Sequence, residues 1–188
     1  MQKYYISQKD EAVLRLMNKD KRIVKLISYI GDIECKDHSD SYAFIISEIV
    51  GKMLSNKVAK VINLRLLDLC VGTISIDKVS QLSFEQLKTI GLSKAKCEYV
   101  IEFTKSVIEG TLNLSSLHLL SYDKVIYELT RIRGIGTWTA KMYLLFVLQR
   151  SDVLPIEDVA FLQGYKWLYR TDDVSKNSVI KNVKCILL

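Results

Sequence analysis

The sequence is poor in residues that break helices: 188 residues hold one proline, Pro155, and only eight glycines. An all-β chain needs more turn formers than that. Uninterrupted apolar runs are short as well. The longest, Met142 to Leu148, falls far below a bilayer span. Residues 1–20 mix charged and apolar groups without a signal-peptide core, so a soluble, intracellular chain with no membrane attachment is expected. Histidine is scarce, with only His38 and His118. Cys35, Cys70, Cys97 and Cys185 lie far apart and form no C-x-x-C pair. That spacing argues against local zinc or iron–sulfur motifs, and the cysteines read as buried free thiols. No metal and no cofactor is expected.

What the chain does have is helical pattern. At 49% hydrophobic and 26% charged residues it has globular proportions, and residues 1–188 read as a single domain. An excess of 27 Lys+Arg over 21 Asp+Glu gives a net charge of +6, a mild pointer to an anionic partner. Apolar positions recur at three and four over 8–17, 20–30 and 41–54. Ser55 can cap a helix running to Cys70, and Ser83 with Gln86 fits a capping box before a short helix ending at Gly91. Lys94 to Ile108 is amphipathic. Ser121 can cap a segment carrying Val125, Leu129 and Ile132 on one face. Further helices are expected from Thr137 to Gln149 and from Ile156 to Tyr169 behind Pro155, then a tail from Ser175. The fold class is all-α, about ten short helices.

The informative stretch is Leu129 to Ala160, LTRIRGIGTWTAKMYLLFVLQRSDVLPIEDVA. A helix ends near Arg133, Gly134-Ile135-Gly136 turns the chain, and Thr137 can cap a second helix. Two glycines permit positive φ and close backbone approach, and the turn offers N–H groups of a kind that binds phosphate oxygens. Ile135 can point inward and hold the turn to the core. Glycine spacing alone would describe an ordinary αα-hairpin.

With its flanks, Leu-x-x-Ile-x-Gly-Ile-Gly-x-Trp-Thr-Ala followed by Pro155 and Asp158 resembles the helix–hairpin–helix DNA glycosylases. The likeness is to the DNA-3-methyladenine glycosylase II branch, which removes alkylated purines. Ile49-Val50-Gly51 with Leu54-Ser55 is similar to a second segment of that family, and Leu87 to Ser93 with Lys94 and Lys96 to a third. The resemblance implies two helical lobes with a DNA-facing cleft. It implies a DNA contact at Gly134, Ile135, Gly136, Thr137 and Thr139, and a base pocket at Trp138 and Met142. It also places a wedge for base flipping at Met53, beside Lys52, and the catalytic aspartate at Asp158.

The chemistry suits those residue types. Breaking an N-glycosidic bond builds positive charge on the sugar, which a carboxylate stabilises; the same group can orient water. Glu157 is the neighbouring alternative, Asp152 a weaker one, and a plain helix-capping role for Asp158 is the bland one. Trp138 offers an electron-rich face to a cationic base or is a core aromatic under the hairpin. Met53 can fill the gap left by a flipped base or simply end a helix. Lys94, Lys96 and Lys141 are candidate phosphate contacts. Relatives that also cut the strand carry lysine where Trp138 stands, so a monofunctional hydrolase is expected.

The family's last helix, W-x-P-Y-R-S-x-A-x-x-Y-L-W, has no counterpart after Cys185, so the domain is expected to lack it. The implied protein is a cytoplasmic monomer, associated with the nucleoid in a prokaryote, acting on double-stranded DNA that contains alkylated bases. A weakly active or inactive DNA-binding member of the family is the alternative, and a helical protein-interaction module the third reading.

Overall fold

Capping side chains set many of the element boundaries in the computed structural model, which describes residues 3–36 and 38–187, with side chains left out at 3, 4, 36 and 184–187. The chain forms two compact units, one from His38–Ser151 and the other from Met1–Asp37 with Asp152–Leu188.

The continuous unit begins with α3 (Ser41–Gly51), whose start is closed by the Asp40 carboxylate accepting from the Ala43 N–H at 2.9 Å. Ser55 does the same for α4 (Asn56–Leu69) and Ser75 for α5 (Ile76–Ser80). Ser83 and Gln86 form the expected capping box at the head of α6 (Phe84–Thr89). Ser93 caps α7 (Lys94–Ile108), which has the expected bounds. A 3-10 turn (Leu114–Leu119) leads to α8 (Tyr122–Thr130) and α9 (Thr137–Met142). Ile45, Ile46, Leu66, Leu87, Phe103, Leu129 and Leu144 are fully buried at the centre. Among them the Tyr42 hydroxyl lies 2.7 Å from the Thr104 hydroxyl, which donates to the Val100 carbonyl, whereas the buried Asn63 Oδ1 has no partner among the described residues.

The other unit holds α1 (Glu11–Lys19), α2 (Lys21–Ile30), α10 (Val159–Tyr169) and α11 (Lys176–Leu187). Asp20 caps α2 through the Arg22 N–H and also binds the Arg22 guanidinium at 2.7 Å. That guanidinium lies 4.2 Å from the centre of the Tyr169 ring, joining α2 to α10.

The fold is all-α as expected, with one small addition: two strands, β1 (Lys3–Ile6) and β2 (Ile33–Lys36), pair antiparallel with Tyr4 opposite Cys35. Two expectations need correction. The segment from Thr137 stays α-helical only to Met142 and then widens into a π-turn over Tyr143–Val147, closed by the Leu148 N–H on the Tyr143 carbonyl. Pro155 does not start a helix: the Asp158 N–H folds back on its carbonyl at 2.9 Å, and α10 begins after Asp158. Of the cysteines, Cys70 and Cys97 are buried and Cys35 is half-buried; the Cys185 side chain lies outside the described residues.

Candidate functional site

Between α8 and α9 the chain turns tightly. The Ile135 N–H donates to the Ile132 carbonyl at 3.1 Å and the Ile135 side chain is buried, as its apolar character between glycines implied. Gly134 is required twice over. Its φ is +95°, and a Cβ there would lie 2.5 Å from the Tyr99 ring beneath it. Gly136 is different: an added Cβ would meet nothing within 4 Å. It stands at the N-cap of α9 and brings no capping side chain. Thr137 is therefore the first helical residue and not the cap, a correction to the sequence reading. Thr137 is exposed and Thr139 is buried. The N–H groups of Gly136 and Thr137 meet no acceptor among the described residues.

The turn after α3 meets this hairpin. Lys52 donates from Nζ to the Gly134 carbonyl at 3.1 Å, and Lys96 on α7 donates to the Val50 carbonyl at 2.7 Å. Burial, with the neighbouring Lys52 charge, holds the Lys96 ammonium below the usual lysine pKa. Two cations thus sit at the C-terminal end of α3, where the helix dipole favours them. Lys94 is exposed, whereas Lys141 is buried. Met53 follows Lys52 with φ +59° and is 95% exposed. The Leu54 N–H closes on the Gly51 carbonyl at 3.0 Å, so Gly51 to Leu54 is a type II turn with methionine where glycine is usual. An apolar side chain is presented to solvent from strained backbone.

Beside this turn lies a cavity of about 480 Å³, a size suited to a small planar ligand. Glu48, Lys52, Met53, Asn63, Gly136 and Trp138 contribute to its lining. Trp138 is 38% exposed there, while Met142 is buried and does not line it. The hairpin, Lys52, Met53 and Trp138, named on sequence grounds from distant segments, are thus brought together. Glu48 and Asn63 were missed. A lone acid between Ile45 and Ile49 on an apolar helix was the available signal for the first; nothing marked the second. Tyr99, the floor under Gly134, was missed too.

Asp158 lies in the other unit. It is half-buried and its Oδ1 accepts from the Phe161 N–H at 2.7 Å, which makes it the N-cap of α10. Glu157 and Asp152 are exposed. A cap fixes the position of the Asp158 carboxylate.

Comparison with known proteins gives a consistent set. Residues 46–185 match the family described as HhH-GPD superfamily base excision DNA repair protein. DNA-3-methyladenine glycosylase 1 of Schizosaccharomyces pombe is 28% identical over 166 residues, 86% of this chain and 73% of that protein. Among solved structures, DNA-3-methyladenine glycosidase from Bacillus halodurans superposes with a TM-score of 0.85 at 32% identity, over 97% of this chain and 85% of that one. The S. pombe 3-methyladenine DNA glycosylase, solved in complex with abasic DNA, shares the fold with a TM-score of 0.81 at 24% identity, covering 94% and 89% of the two chains.

Proposed function

The chain belongs to the HhH-GPD superfamily of base excision DNA repair proteins and is a DNA glycosylase, and from that premise we propose that it releases alkylated purines such as 3-methyladenine from double-stranded DNA. The observation that carries this reading is the joint placement of the Gly134–Gly136 hairpin, exposed Met53 and a Trp138-walled cavity in one unit.

In this reading the N–H groups of Gly136 and Thr137 hold a phosphate, with Lys52 supplying positive charge beside them. Thr139, buried, supports the helix start from within, and Ile135 anchors the turn. Met53 enters the duplex stack as the base leaves it. The flipped purine lies against Trp138, whose ring face favours a cationic base; Met142 backs that wall from the core. Asp158 stabilises positive charge on the sugar and takes a proton from the attacking water. Trp138 has no nucleophilic nitrogen and Lys141 is buried, so water is the nucleophile and the strand stays intact. Residues 1–188 act as one catalytic domain, a monomer on its DNA.

The test is release of methylated bases from methylated duplex DNA, with Asp158→Asn beside the wild type. Measurable release by the wild type, lost in the variant, is the expected outcome. DNA binding without release by the wild type would favour an inactive relative. Borohydride added during the reaction should trap no protein–DNA complex.

A further inference from the structure

The Trp138 cavity holds one of the chain's two tryptophans; the other, Trp167, lies in the unit built from the two ends of the chain. Trp167 is 53% exposed near the end of α10, and the exposed Tyr29 of α2 stands 6.4 Å from it between ring centres. Two aromatic rings left together in water mark a contact surface. Beside them is a cavity of about 470 Å³, within the range of small-ligand pockets. Arg22 and Lys25, which share one face of α2, line it together with Trp167, Leu168, Tyr169 and Arg170.

Three cations meet in this pocket, and only one is paired by the protein. The Arg22 guanidinium is held by Asp20 and lies over the Tyr169 ring. The Lys25 ammonium and the Arg170 guanidinium are exposed, and neither has a hydrogen-bond or ion-pair partner among the described residues. Arg170 closes α10 with φ +49°, left-handed backbone where glycine or asparagine is usual. The helix dipole does not call for it, because Lys166 already stands in the last turn, paired with Asp172. An arginine kept on strained backbone, in one pocket with an unpaired lysine and an exposed tryptophan, points to a ligand that is both anionic and flat.

We propose that this pocket is a second nucleic-acid site, which takes an unpaired nucleotide of single-stranded DNA: the base stacks on Trp167 and the adjoining phosphates pair with Lys25 and Arg170. In a duplex the faces of a base are covered by its neighbours, so a ring platform serves only an unpaired one. Aromatic stacking inside a positively charged groove is how single strands are held without regard to sequence. An acidic peptide would use the cations and leave the tryptophan idle. A strand, unlike a free nucleotide, offers a phosphate on each side of the base, one for each unpaired cation. The pocket lies outside the unit that carries the hairpin, and the proposal does not depend on the reading of the Trp138 cavity.

The experiment titrates labelled single-stranded oligothymidylate by fluorescence anisotropy against the full chain carrying Gly136→Asp, which disables the hairpin as an anion site. Binding should persist in that variant and weaken about tenfold when Trp167→Ala or Lys25→Glu is added. The loss in Lys25→Glu should shrink as salt is raised. Lys124→Glu, the same charge change at an exposed position of α8, should leave binding within about twofold. No binding in the Gly136→Asp chain, or equal weakening by Lys124→Glu, overturns the proposal. Displacement of the oligonucleotide by thymidine monophosphate at matched nucleotide concentration overturns it in favour of a free nucleotide, and displacement by polyphosphate in favour of a bare anion surface. If Trp167→Ala failed to fold, Lys25→Glu, whose side chain lies in water, would decide alone, and unchanged binding there refutes the proposal. The glycosylase reading fails separately, by absence of base release from methylated duplex DNA in a wild type that still binds the single strand.

Discussion

At the start of α9 the residue before the helix is Gly136, and no side chain accepts from the first turn. At the start of α10 it is Asp158, whose carboxylate accepts from the Phe161 N–H at 2.7 Å. Every helix start poses the same problem of N–H groups without acceptors. The second is closed by the protein's own anion. The first has no side-chain acceptor, and under the proposed function a DNA phosphate takes that place. The difference separates two uses of one physical feature: a closed helix start holds a carboxylate in place, and an open one can receive an anion.

The sharpest test of the closed start distinguishes charge from cap. Asp158→Asn keeps a good N-cap residue and removes the negative charge. It should lose roughly 2.7–4 kcal/mol of transition-state stabilisation, two to three decades in the base-release rate, with DNA affinity intact and melting temperature nearly unchanged. Asp158→Ala should lose the same activity and in addition about 1 kcal/mol of stability, read by thermal unfolding. If Asn is as unstable as Ala, the carboxylate's structural role has been underestimated.

The open start is tested by its two glycines, which the structure makes unequal. Gly134→Ala forces a side chain into left-handed backbone and into the Tyr99 ring, at a cost of about 3 kcal/mol of stability. Gly136→Asp meets no such obstacle and should fold normally. It places an anion where the phosphate is expected and should weaken binding by roughly 1.5–3 kcal/mol for each phosphate hydrogen bond lost, equally across duplex sequences. Titration of unrelated duplexes at fixed salt checks this, and normal binding by a folded Gly136→Asp would detach the hairpin from DNA.

The smallest effect is expected at Met53, and it has opposite signs in stability and activity. Met53→Gly relieves the positive φ and should raise stability by up to about 1 kcal/mol. It also removes the wedge, so base release should fall while the protein melts later. A gain in both would make Met53 a mere turn residue.

Much of this was legible in the residues. Serine followed three positions later by glutamine announces the start of α6, because both orphan donors are satisfied locally. The bounds of α7 follow from Ser93 and the apolar spacing behind it. The hairpin was legible from its glycines, although the assignment of Thr137 as cap failed because Gly136 leaves that role empty. The strands escaped notice because each is four residues long and its partner lies beyond two intervening helices. The π-turn falls inside the apolar run Met142 to Leu148, where uniform hydrophobicity erases periodicity. Asn63 could not be found at all, since an orphan oxygen exists only once its surroundings have closed.

The division of the chain at Asp37 and Asp152 has a consequence for how the molecule comes to be folded. Helices α1 and α2 contain no buried residue of their own apart from the cap at Asp20, and their partners in the same unit are α11 and α10. During synthesis they precede those partners, and Leu16, Ile23 and Leu26, which line one pocket with Phe161 and Tyr165 of α10, stay in water until α10 follows. The continuous unit closes on contacts nearer in sequence and is complete before then. Joining the two segments of the second unit closes a loop over the whole continuous unit, an entropy cost that the continuous unit does not carry.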